Sequence, residues 1–594
     1  MTRSSKSTSS SRVLLLGIWG HLTKRRRIQL GALLVVMLAS GVAEVFSLAA
    51  VLPFLAVLAN PEQIWQMPLV QQIAPVLQIT AADQLLRPVT LLFGIAAIAA
   101  AVVRLLNVWL NGRVAAAVGS DLSCEAYKRT LYQPYGVHVA RNSSDVITAL
   151  QSNVGSLVGM LNALLTMFTS GLVLLSVLWA LLIIDSRVAL IAGGLFGVAY
   201  AVIVQISKKQ LAVISNKTVV YSQLSLQALQ EGLGAIRDVL LDGSQPLYLD
   251  IYREADRPLR QITAKSNFIA SFPRYLMEAV GLCLIGGVAY GLTSRYGGIA
   301  TALPLLGALA LGAQRILPAL QQTYNSWAVI KAYKSAAESV LSTLKQPLPA
   351  GAYAVAEKPL KLQNNIKFEN VCFTYSIETP TVLNGLNFEI KKGERLGFIG
   401  TTGSGKSTTI DLLMGLLEPN DGKVLVDNID INSKQDPENL LAWRAAIAHV
   451  PQTIYLADRS IAENIAFGVD QKQIDIKRVK EAAQQAQIAG FIESSPEAYK
   501  TFVGERGIRL SGGQRQRIGI ARALYKQASV LIFDEATSAL DNATEAALMD
   551  AIESLSRELT IVMIAHRLTT VERCDRVIEL CNGSVLAVNS PQQF

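Results

Sequence analysis

RLGFIGTTGSGKSTTIDLLMGLL, residues 395–417, runs in order through a short apolar segment, a glycine-rich turn and a segment with the apolar spacing of an amphipathic helix. The turn contains the pattern G-x-x-x-x-G-K-S, from Gly400 to Ser407. Glycines let the backbone N–H groups of such a turn wrap phosphate groups, and the dipole of the following helix adds positive potential. The stretch therefore predicts a buried strand, a phosphate-binding loop and a helix, which begin an α/β P-loop domain.

The side chains of this loop predict a nucleotide site. Lys406 is placed to reach the β and γ phosphates of ATP, and Ser407 is placed to offer its hydroxyl to Mg²⁺. The strand before the loop and the helix after it are the context that separates this match from a chance one. The predicted ATP-binding residues of the loop are Gly400, Thr401, Thr402, Gly403, Ser404, Gly405, Lys406, Ser407 and Thr408.

A second stretch, SVLIFDEATSALD at residues 529–541, supplies acidic groups for the same site. An apolar run typical of a buried strand ends at Asp534, whose carboxylate can hold Mg²⁺, and Glu535 follows, placed to polarise an attacking water. The alternative, a surface acidic pair after a core strand, is disfavoured because a matching phosphate loop lies upstream. An intact Glu535 predicts a hydrolysing site.

Between these stretches, LSGGQ at residues 510–514 precedes the helical segment RQRIGIARALY. Ser511, Gly512, Gly513 and Gln514 at a helix start make a second anion cradle. One nucleotide does not need two cradles in one chain, so we expect a dimer in which each cradle closes on the phosphate bound by the other chain. The arginines of QRQR could suggest a nucleic-acid surface, but they alternate with core residues and fit a solvated helix face better. We expect no nucleic-acid partner.

With these three motifs, residues 365–594 resemble the nucleotide-binding domain of an ABC transporter. The resemblance implies that Tyr375 stacks on adenine, Gln452 senses Mg²⁺ and couples to the membrane domain, and Asp541 crosses the dimer interface. It also implies that His566 contacts the γ-phosphate, which we favour over a histidine that merely ends the strand TIVMIA. GERG, residues 504–507, resembles the stretch that touches coupling helices in exporters.

The rest of the chain is membrane-like in composition. The 594 residues are 51% hydrophobic and 17% charged, and the mean hydropathy of +0.34 is too high for an ordinary soluble protein. A membrane span needs roughly 20 mostly apolar residues. Six segments fit, at about 28–58, 88–112, 156–184, 188–206, 269–292 and 299–317. The predicted fold is an all-α transmembrane domain of six helices followed by an α/β P-loop nucleotide-binding domain.

Basic residues predict the topology of these spans. The first 27 residues carry seven Lys or Arg and no acid, and loops 113–150 and 207–267 are also basic, whereas the other three loops are base-poor. Basic loops stay in the cytoplasm, which places both termini and the nucleotide domain there. The first apolar run is too long for a cleaved signal peptide. The predicted parts are a basic N-terminus (1–27), a transmembrane domain with long cytoplasmic helix extensions (28–344), a linker (345–364) and the nucleotide domain (365–594).

Two loop segments have amphipathic patterns. Residues 222–243 predict a helix that turns at Asp-Gly, either solvated or in contact with the nucleotide domain. Residues 61–80 predict an amphipathic helix, either at the outer membrane surface or packed on the spans.

Three arginines lie within the apolar segments: Arg104, Arg274 and Arg315. A guanidinium in a span costs several kcal/mol and should have a partner. Arg315 could snorkel to the cytoplasmic surface, and Glu44 or Glu278 could pair with an arginine. Three arginines against two acids leave a basic excess, which predicts a cavity for an anionic head group, since guanidinium suits phosphate.

The membrane half also resembles PglK-type flippases of lipid-linked oligosaccharides, in GVAEVFSLAAVLPFLAVL (41–58), VVRLLN (102–107) and PRYLMEAVG (273–281). Six spans with one nucleotide domain resemble an exporter-type half-transporter that works as a homodimer. The resemblance implies an ATP-driven flippase of the bacterial inner membrane that moves a (pyro)phosphate-linked glycolipid. Other lipids, peptides or drugs remain alternative cargoes, and a nucleotide-gated channel or regulator is the alternative of another class.

Overall fold

The computed structural model describes residues 11–59, 61–73, 79–184, 186–296, 299–349, 351–354, 358–376, 378–534, 545–546, 550, 558–564 and 572–590. The chain divides into two compact units. The first unit contains Met1–Leu131 and Arg141–Pro347, and the second contains Tyr132–Ala140 and Leu348–Phe594.

The described part of the first unit is helical. Its helices are α1 (Ser11–His21), α2 (Lys24–Ala59), α3 (Pro61–Trp65), α4 (Pro68–Ile73), α5 (Leu86–Leu131), α7 (Ser143–Thr148), α8 (Val154–Ile184), α9 (Ser186–Gly234), α10 (Ile236–Leu241), α11 (Gln245–Tyr296), α12 (Ile299–Ala332) and α13 (Lys334–Leu344), with α6 (Tyr135–Val139) belonging to the second unit.

Six of these helices, α2, α5, α8, α9, α11 and α12, are longer than 30 residues, and each contains one of the six predicted spans. Over the described residues, four segments are long and apolar enough to cross a membrane: Lys24–Leu58, Ala82–Leu131, Ser143–Trp179 and Gly193–Gly234. The other two predicted spans lie in α11 and α12, where many side chains fall outside the description. The predicted fold class is confirmed.

The long helices continue past the predicted spans, as the basic loops suggested. The helix α5 runs on from residue 112 to Leu131, which at 1.5 Å per residue adds roughly 28 Å. The predicted helix at 222–243 is present with a break at Ala235, because α9 ends at Gly234 and α10 covers Ile236–Leu241. Gly243 has a φ of +63°, the left-handed conformation that ends such a helix.

The N-terminal region is more than a basic tail. Leu14 and Ile18 of α1 are buried in a cluster with Leu122 of α5 and with Ala337 and Leu341 of α13. This apolar face fixes α1 against the first unit.

The outer loop packs on the spans. Ile64, Trp65 and Val70 lie against Val57 of α2 and Leu85, just before α5. Of the two alternatives for residues 61–80, packing on the spans is therefore the one that these three side chains adopt, while residues 74–78 lie outside the described residues.

The second unit contains two sheets. Its described strands are β1 (Asn365–Phe373), β2 (Leu383–Lys391), β3 (Arg395–Ile399), β4 (Asp421–Val426), β5 (Ile429–Asp430), β6 (Ile447–Val450), β7 (Val530–Asp534), β8 (Thr560–Ile564), β9 (Arg576–Cys581) and β10 (Ser584–Asn589). The first sheet is antiparallel in the order β2-β1-β4-β5, and the second has the order β10-β9-β3-β8-β7-β6. Strands β9, β3, β8, β7 and β6 run parallel, so their carboxyl ends share one edge.

Helices flank this sheet and carry the remaining motifs. They are α14 (Lys406–Leu413), α15 (Glu438–Ala446), α16 (Ile461–Ile465), α17 (Ile476–Gln485), α18 (Ala489–Ser494) and α19 (Gly512–Tyr525). Strands β3, β7 and β8 are almost wholly buried, as their continuous apolar runs predict for a parallel sheet covered on both faces. Between the units, α13 ends at Leu344 and β1 begins at Asn365.

Candidate functional site

The phosphate loop joins the buried strand β3 to α14, as its sequence predicts. Gly400 has a φ of +143° and Gly405 a φ of +101°. A Cβ on Gly400 would stand 2.2 Å from the carbonyl oxygen of Leu580 on β9, so only glycine fits there. The close approach of the two backbones fixes the loop over the edge of the sheet.

The polar groups of the loop fit a phosphate. The Lys406 Nζ donates to the carbonyl oxygens of Gly400 and Thr401, at 2.8 and 3.0 Å, and its side chain is buried. The Ser404 hydroxyl is buried and has no hydrogen-bond partner among the described residues. An orphaned hydroxyl and a lysine beside a glycine turn at a helix N-terminus suit the binding of ATP phosphates.

Oxygen groups suited to Mg²⁺ meet at the same edge. Asp534 is the last residue of β7 and aligns with Ile564 of β8, which aligns with Phe398 of β3. Ser407 is exposed in the first turn of α14. Hydroxyl and carboxylate oxygens are the ligands Mg²⁺ prefers, so Ser407 and Asp534 are the residues that would hold it.

Asp411 also belongs to this site, although the sequence motifs did not identify it. It lies one helical turn after Ser407 on α14. Burial, and then the charge of Asp534, raises the pKa of Asp411 to about 6. The i, i+4 spacing from Ser407 was the signal that could have identified it.

Tyr375 and Gln452 lie beside the loop. The Tyr375 hydroxyl is 3.1 Å from the Thr408 hydroxyl, its ring contacts Phe373 edge-on, and it remains 49% exposed. Gln452 is exposed two residues after β6, whose last residue, Val450, pairs with Phe533 of β7. Both residues are therefore near the edge where the loop and Asp534 lie.

The helix α6, from the loop between the second and third predicted spans, belongs to the same unit. Burial raises the pKa of the Tyr135 hydroxyl, and the charges of Asp411 and Tyr375 raise it further. A Cβ on Gly136 would be 3.8 Å from Leu417. The sequence assigned residues 132–140 to the membrane domain, whereas the structure groups them with the nucleotide-binding unit.

Three predicted site residues, Glu535, Asp541 and His566, lie outside the described residues. The description reaches Asp534, directly before Glu535, and Ile564, two residues before His566. Their roles stay predictions.

The second predicted cradle begins α19 with a capping box. The Ser511 hydroxyl accepts from the Gln514 backbone N–H at 3.2 Å, and the Gln514 Oε1 accepts from the Ser511 N–H at 2.8 Å. Ser511 is exposed, and Gly512 and Gly513 form the first turn of the helix. The reciprocal bonds fix the start of α19, and Ser511 at this helix N-terminus is exposed to solvent.

The arginines of QRQR, predicted on a solvated helix face, are half-buried and also donate to backbone carbonyls. The Arg515 Nη1 donates to the carbonyls of Leu510 and Gly507, at 3.0 and 3.4 Å, and the Arg517 Nη1 donates to that of Gln487 at 2.8 Å. Arg515 thereby ties the GERG turn to α19.

A groove of about 770 Å³ lies elsewhere in this unit. The Arg522 guanidinium stacks 4.6 Å from the ring of Phe467, which is 58% exposed. Burial lowers the pKa of Arg522 to about 10 and that of His449 to about 4. His449 is therefore neutral at physiological pH.

The first unit contains a polar cavity of about 600 Å³ among α2, α5, α8 and α12. Arg104 and Glu44 form an ion pair there; Glu44 is 3% exposed and Arg104 is 45% exposed. The side chains of this cavity include amides and hydroxyls, at Ser40, Asn107, Asn111, Asn162, Thr166, Thr169, Ser170, Gln314 and Gln322. The side-chain oxygens of Asn107 and Asn111 are buried and have no hydrogen-bond partner among the described residues.

Of the three arginines, Arg104 lines the polar cavity. Arg274 lies 3.7 Å from Glu278 and is not among the residues lining the polar cavity. The side chain of Arg315 lies outside the described residues. Because Glu44 and Glu278 each face an arginine, the predicted excess of three arginines over two acids rests on Arg315 alone.

Comparisons with known proteins agree with this architecture. Residues 29–301 match the ABC transporter transmembrane region, and residues 383–538 match the ABC transporter family. The chain is 31% identical over 481 residues to the ATP-dependent lipid A-core flippase of Saccharophagus degradans, covering 80% of this chain and 79% of that protein. It is 45% identical over 226 residues to the leukotoxin translocation ATP-binding protein LktB of Mannheimia glucosida, covering 38% of this chain and 31% of that protein.

The fold is also that of a solved exporter. The structure of a bacterial Atm1-family ABC exporter with ATP bound superimposes with a TM-score of 0.76 at 23% identity, over 96% of each chain. The two family matches, together with a relative that is 31% identical over 80% of the chain, show that this protein belongs to the ABC transporters, as an ATP-hydrolysing half-transporter of the exporter type.

Proposed function

We propose that two copies of this chain form an ATP-driven flippase of the bacterial inner membrane, whose cargo is a lipid with a (pyro)phosphate-linked glycan head group, such as a lipid-linked oligosaccharide. The nucleotide-binding unit and both termini face the cytoplasm in this proposal. The polar cavity around Arg104 is the observation that carries the choice of cargo.

The homodimer is supported by the two separate anion cradles. The hydrogen bonds of Ser511 and Gln514 are to each other, and none joins them to the phosphate loop in the described part of the chain. In a symmetric pair, each helix N-terminus of α19 closes on the phosphate held by the other chain. We propose that Asp541 crosses that interface, and that both composite sites hydrolyse ATP because they have the same residues.

In the proposed cycle of ATP binding and hydrolysis, each residue of the nucleotide site has one role. Lys406 binds the phosphates, Tyr375 stacks on adenine, and Ser407, Asp534 and Gln452 hold Mg²⁺, which supplies charge neutralisation when bound. Glu535 orients and polarises the attacking water, and His566 contacts the γ-phosphate. Closure of the two nucleotide-binding units favours the outward-facing membrane domain, and hydrolysis with product release reverses it.

The polar cavity favours a hydroxylated head group over an apolar drug. Ionisable and amide side chains within membrane spans are costly and mark substrate pathways. The Glu44–Arg104 pair is neutral overall, so the cavity offers hydrogen bonds from amides and hydroxyls more than net charge. Sugar hydroxyls both donate and accept, and they can satisfy the buried oxygens of Asn107 and Asn111.

A phosphate is still accommodated in this cavity. Arg104 is the half-exposed partner of the ion pair, and a planar guanidinium with several N–H donors suits the recognition of phosphate oxygens. Arg274 and Arg315 stay candidate substrate residues, Arg274 at a distance from the cavity lining. The name of the relative from Saccharophagus degradans, a lipid A-core flippase, supports a lipid cargo. The leukotoxin relative keeps peptide export as the alternative.

The test is stimulation of ATPase activity in proteoliposomes by three additives: a polyprenyl pyrophosphate-linked glycan, glycan-free polyprenyl pyrophosphate, and an apolar drug. For Asn107→Leu we expect the half-maximal concentration of the glycolipid to rise at least tenfold, because two or more hydrogen bonds of about 1 kcal/mol each are lost. Its response to the glycan-free lipid should change less than twofold.

The matched control is Leu105→Ala, on the same helix but outside the cavity and 70% exposed, which should respond like wild type. The charge pair is tested by the double variant Glu44→Gln and Arg104→Gln, because removing Arg104 alone leaves a buried carboxylate. We expect it to weaken the response to both pyrophosphate lipids. Equal stimulation of the wild type by the drug and the glycolipid, or an unchanged Asn107→Leu variant, would refute the proposed cargo.

A further inference from the structure

A second cavity of the first unit, of about 550 Å³, lies between α2 and α5 and is called here the basic groove. Its polar rim contains Arg25, Arg26 and Arg113, and its apolar wall contains Leu33, Val36 and Leu110. Arg25 and Arg26 precede the first predicted span, and Arg113 follows the second. The rim therefore lies where the two spans leave the membrane, and the wall lies within the apolar segments.

The three consecutive arginines of α2 have different partners. Arg26 forms two hydrogen bonds with the Asp121 carboxylate, at 2.8 and 3.0 Å. The Arg27 Nη2 donates to the carbonyls of Trp19 and Gly20, at 3.0 and 3.3 Å, and so caps α1. For Arg25, by contrast, no carboxylate lies within 4.0 Å in the described part of the chain. The enrichment of basic residues on the cytoplasmic side of membrane spans accounts for the side on which Arg25 lies. It does not explain why Arg25 lines a cavity.

Arg113 faces the groove from the other helix. Its guanidinium lies 5.1 Å from the centre of the Trp109 ring, which also lines the groove. This cation–π contact holds the guanidinium in place while leaving its N–H groups exposed. Over the described residues it too has no carboxylate within 4.0 Å. Three guanidiniums against the single carboxylate of Asp121 leave the rim positive.

The wall below the rim is apolar on both helices. Ala32 and Val36 of α2 and Leu110 of α5 offer an aliphatic surface, whereas Leu33 also lines the groove but is only 3% exposed. A groove with a basic rim, an interfacial tryptophan and an aliphatic wall complements an amphiphile with an anionic head.

We propose that the basic groove binds an anionic phospholipid of the leaflet on the nucleotide-binding side, with its phosphodiester between Arg25 and Arg113 and one acyl chain along Ala32, Val36 and Leu110. The groove is distinct from the polar cavity, with which it shares none of its lining residues. The inference rests on the proposed membrane orientation and is independent of the cargo.

The test is binding of phosphatidylglycerol and phosphatidylcholine to the full-length dimer, titrated in detergent and measured by native mass spectrometry without nucleotide. We expect the wild type to prefer phosphatidylglycerol, and Arg25→Gln with Arg113→Gln to bind it about thirtyfold more weakly, at roughly five- to sixfold per arginine. Ala32→Trp, which fills the apolar half without changing charge, should also weaken binding at least fivefold. Thermal melting of each variant verifies that it folds.

The matched control is Lys208→Gln with Lys209→Gln, which removes the same two charges from exposed positions of α9. It should keep the wild-type affinity for phosphatidylglycerol. Equal weakening in this control, or no weakening in the arginine double variant, would overturn the inference. Displacement of phosphatidylglycerol from this groove by stoichiometric polyprenyl pyrophosphate-linked glycan would also overturn it, because the groove would then bind the cargo. The binding measurement does not involve transport, so failure of the transport assay would not change its interpretation.

Discussion

At Gly400 in the phosphate loop, the backbone geometry requires a glycine. Its φ of +143° is a conformation that only glycine adopts at low cost, and an alanine Cβ would lie 2.2 Å from the Leu580 carbonyl oxygen. The backbone strain costs about 1–3 kcal/mol. Relief of the contact to about 3.0 Å also requires a shift of about 0.8 Å between the loop and β9. A displacement near 1 Å in a catalytic site can lower the rate by about a hundredfold.

We therefore expect Gly400→Ala to lose about a hundredfold in ATPase activity and to weaken ATP binding at least tenfold, measured by steady-state hydrolysis and fluorescent-nucleotide titration. The matched control is Gly403→Ala in the same loop, where φ is +85° but no heavy atom lies within 4 Å of a Cβ. Its strain is about 1–2 kcal/mol, so its losses should stay below those of Gly400→Ala by tenfold or more. Equal losses in the two variants, or a fully active Gly400→Ala, would refute the reasoning.

Three further variants probe the nucleotide-binding unit. Tyr375→Phe should keep ATP affinity within about twofold, whereas Tyr375→Ala should weaken it about tenfold, since the ring stacks and the hydroxyl only bonds Thr408; equal losses in nucleotide titrations would contradict this. The pKa of His449 is about 4 in the folded protein against 6.5 unfolded, so the unfolded chain binds the extra proton and stability falls as the pH drops from 6.5 to 4, by up to roughly 3 kcal/mol. Denaturant unfolding at several pH values should show a shallower fall for His449→Gln, and an identical profile would exclude this cause. Arg515→Ala should lower the free energy of unfolding by about 1–3 kcal/mol, because two carbonyls lose their donor; the exposed Arg509→Ala serves as control, and an equal change in both would remove the assigned role.

The parts of the site that the sequence predicted depend on residues close together in the chain. The phosphate loop needs only a strand, glycines and a helix within one short stretch, and Ser511 and Gln514 are three residues apart in a capping box. The contact between Arg274 and Glu278, one helical turn apart, was likewise visible as an alternative.

The parts that the sequence left open or did not identify depend on contacts between distant residues. Glu44 and Arg104 lie on different helices, and only the packing of α2 on α5 decides which acid meets which arginine. In the sequence, Asp411 is one polar residue of a helix like any other. Its raised pKa depends partly on Asp534 of β7, which only the fold brings close to it. The carbonyl partners of Arg515 lie on the turn before its helix, and a residue pattern alone cannot distinguish such a role from a solvated face.

The most direct test of the account is translocation of a labelled polyprenyl pyrophosphate-linked glycan in proteoliposomes containing the wild type or Glu535→Gln. We expect ATP-dependent movement of the glycolipid to the opposite leaflet with the wild type. With Glu535→Gln, hydrolysis and movement should both nearly vanish while ATP still binds. Movement that is independent of ATP, or that continues undiminished in Glu535→Gln, would contradict an ATP-driven flippase.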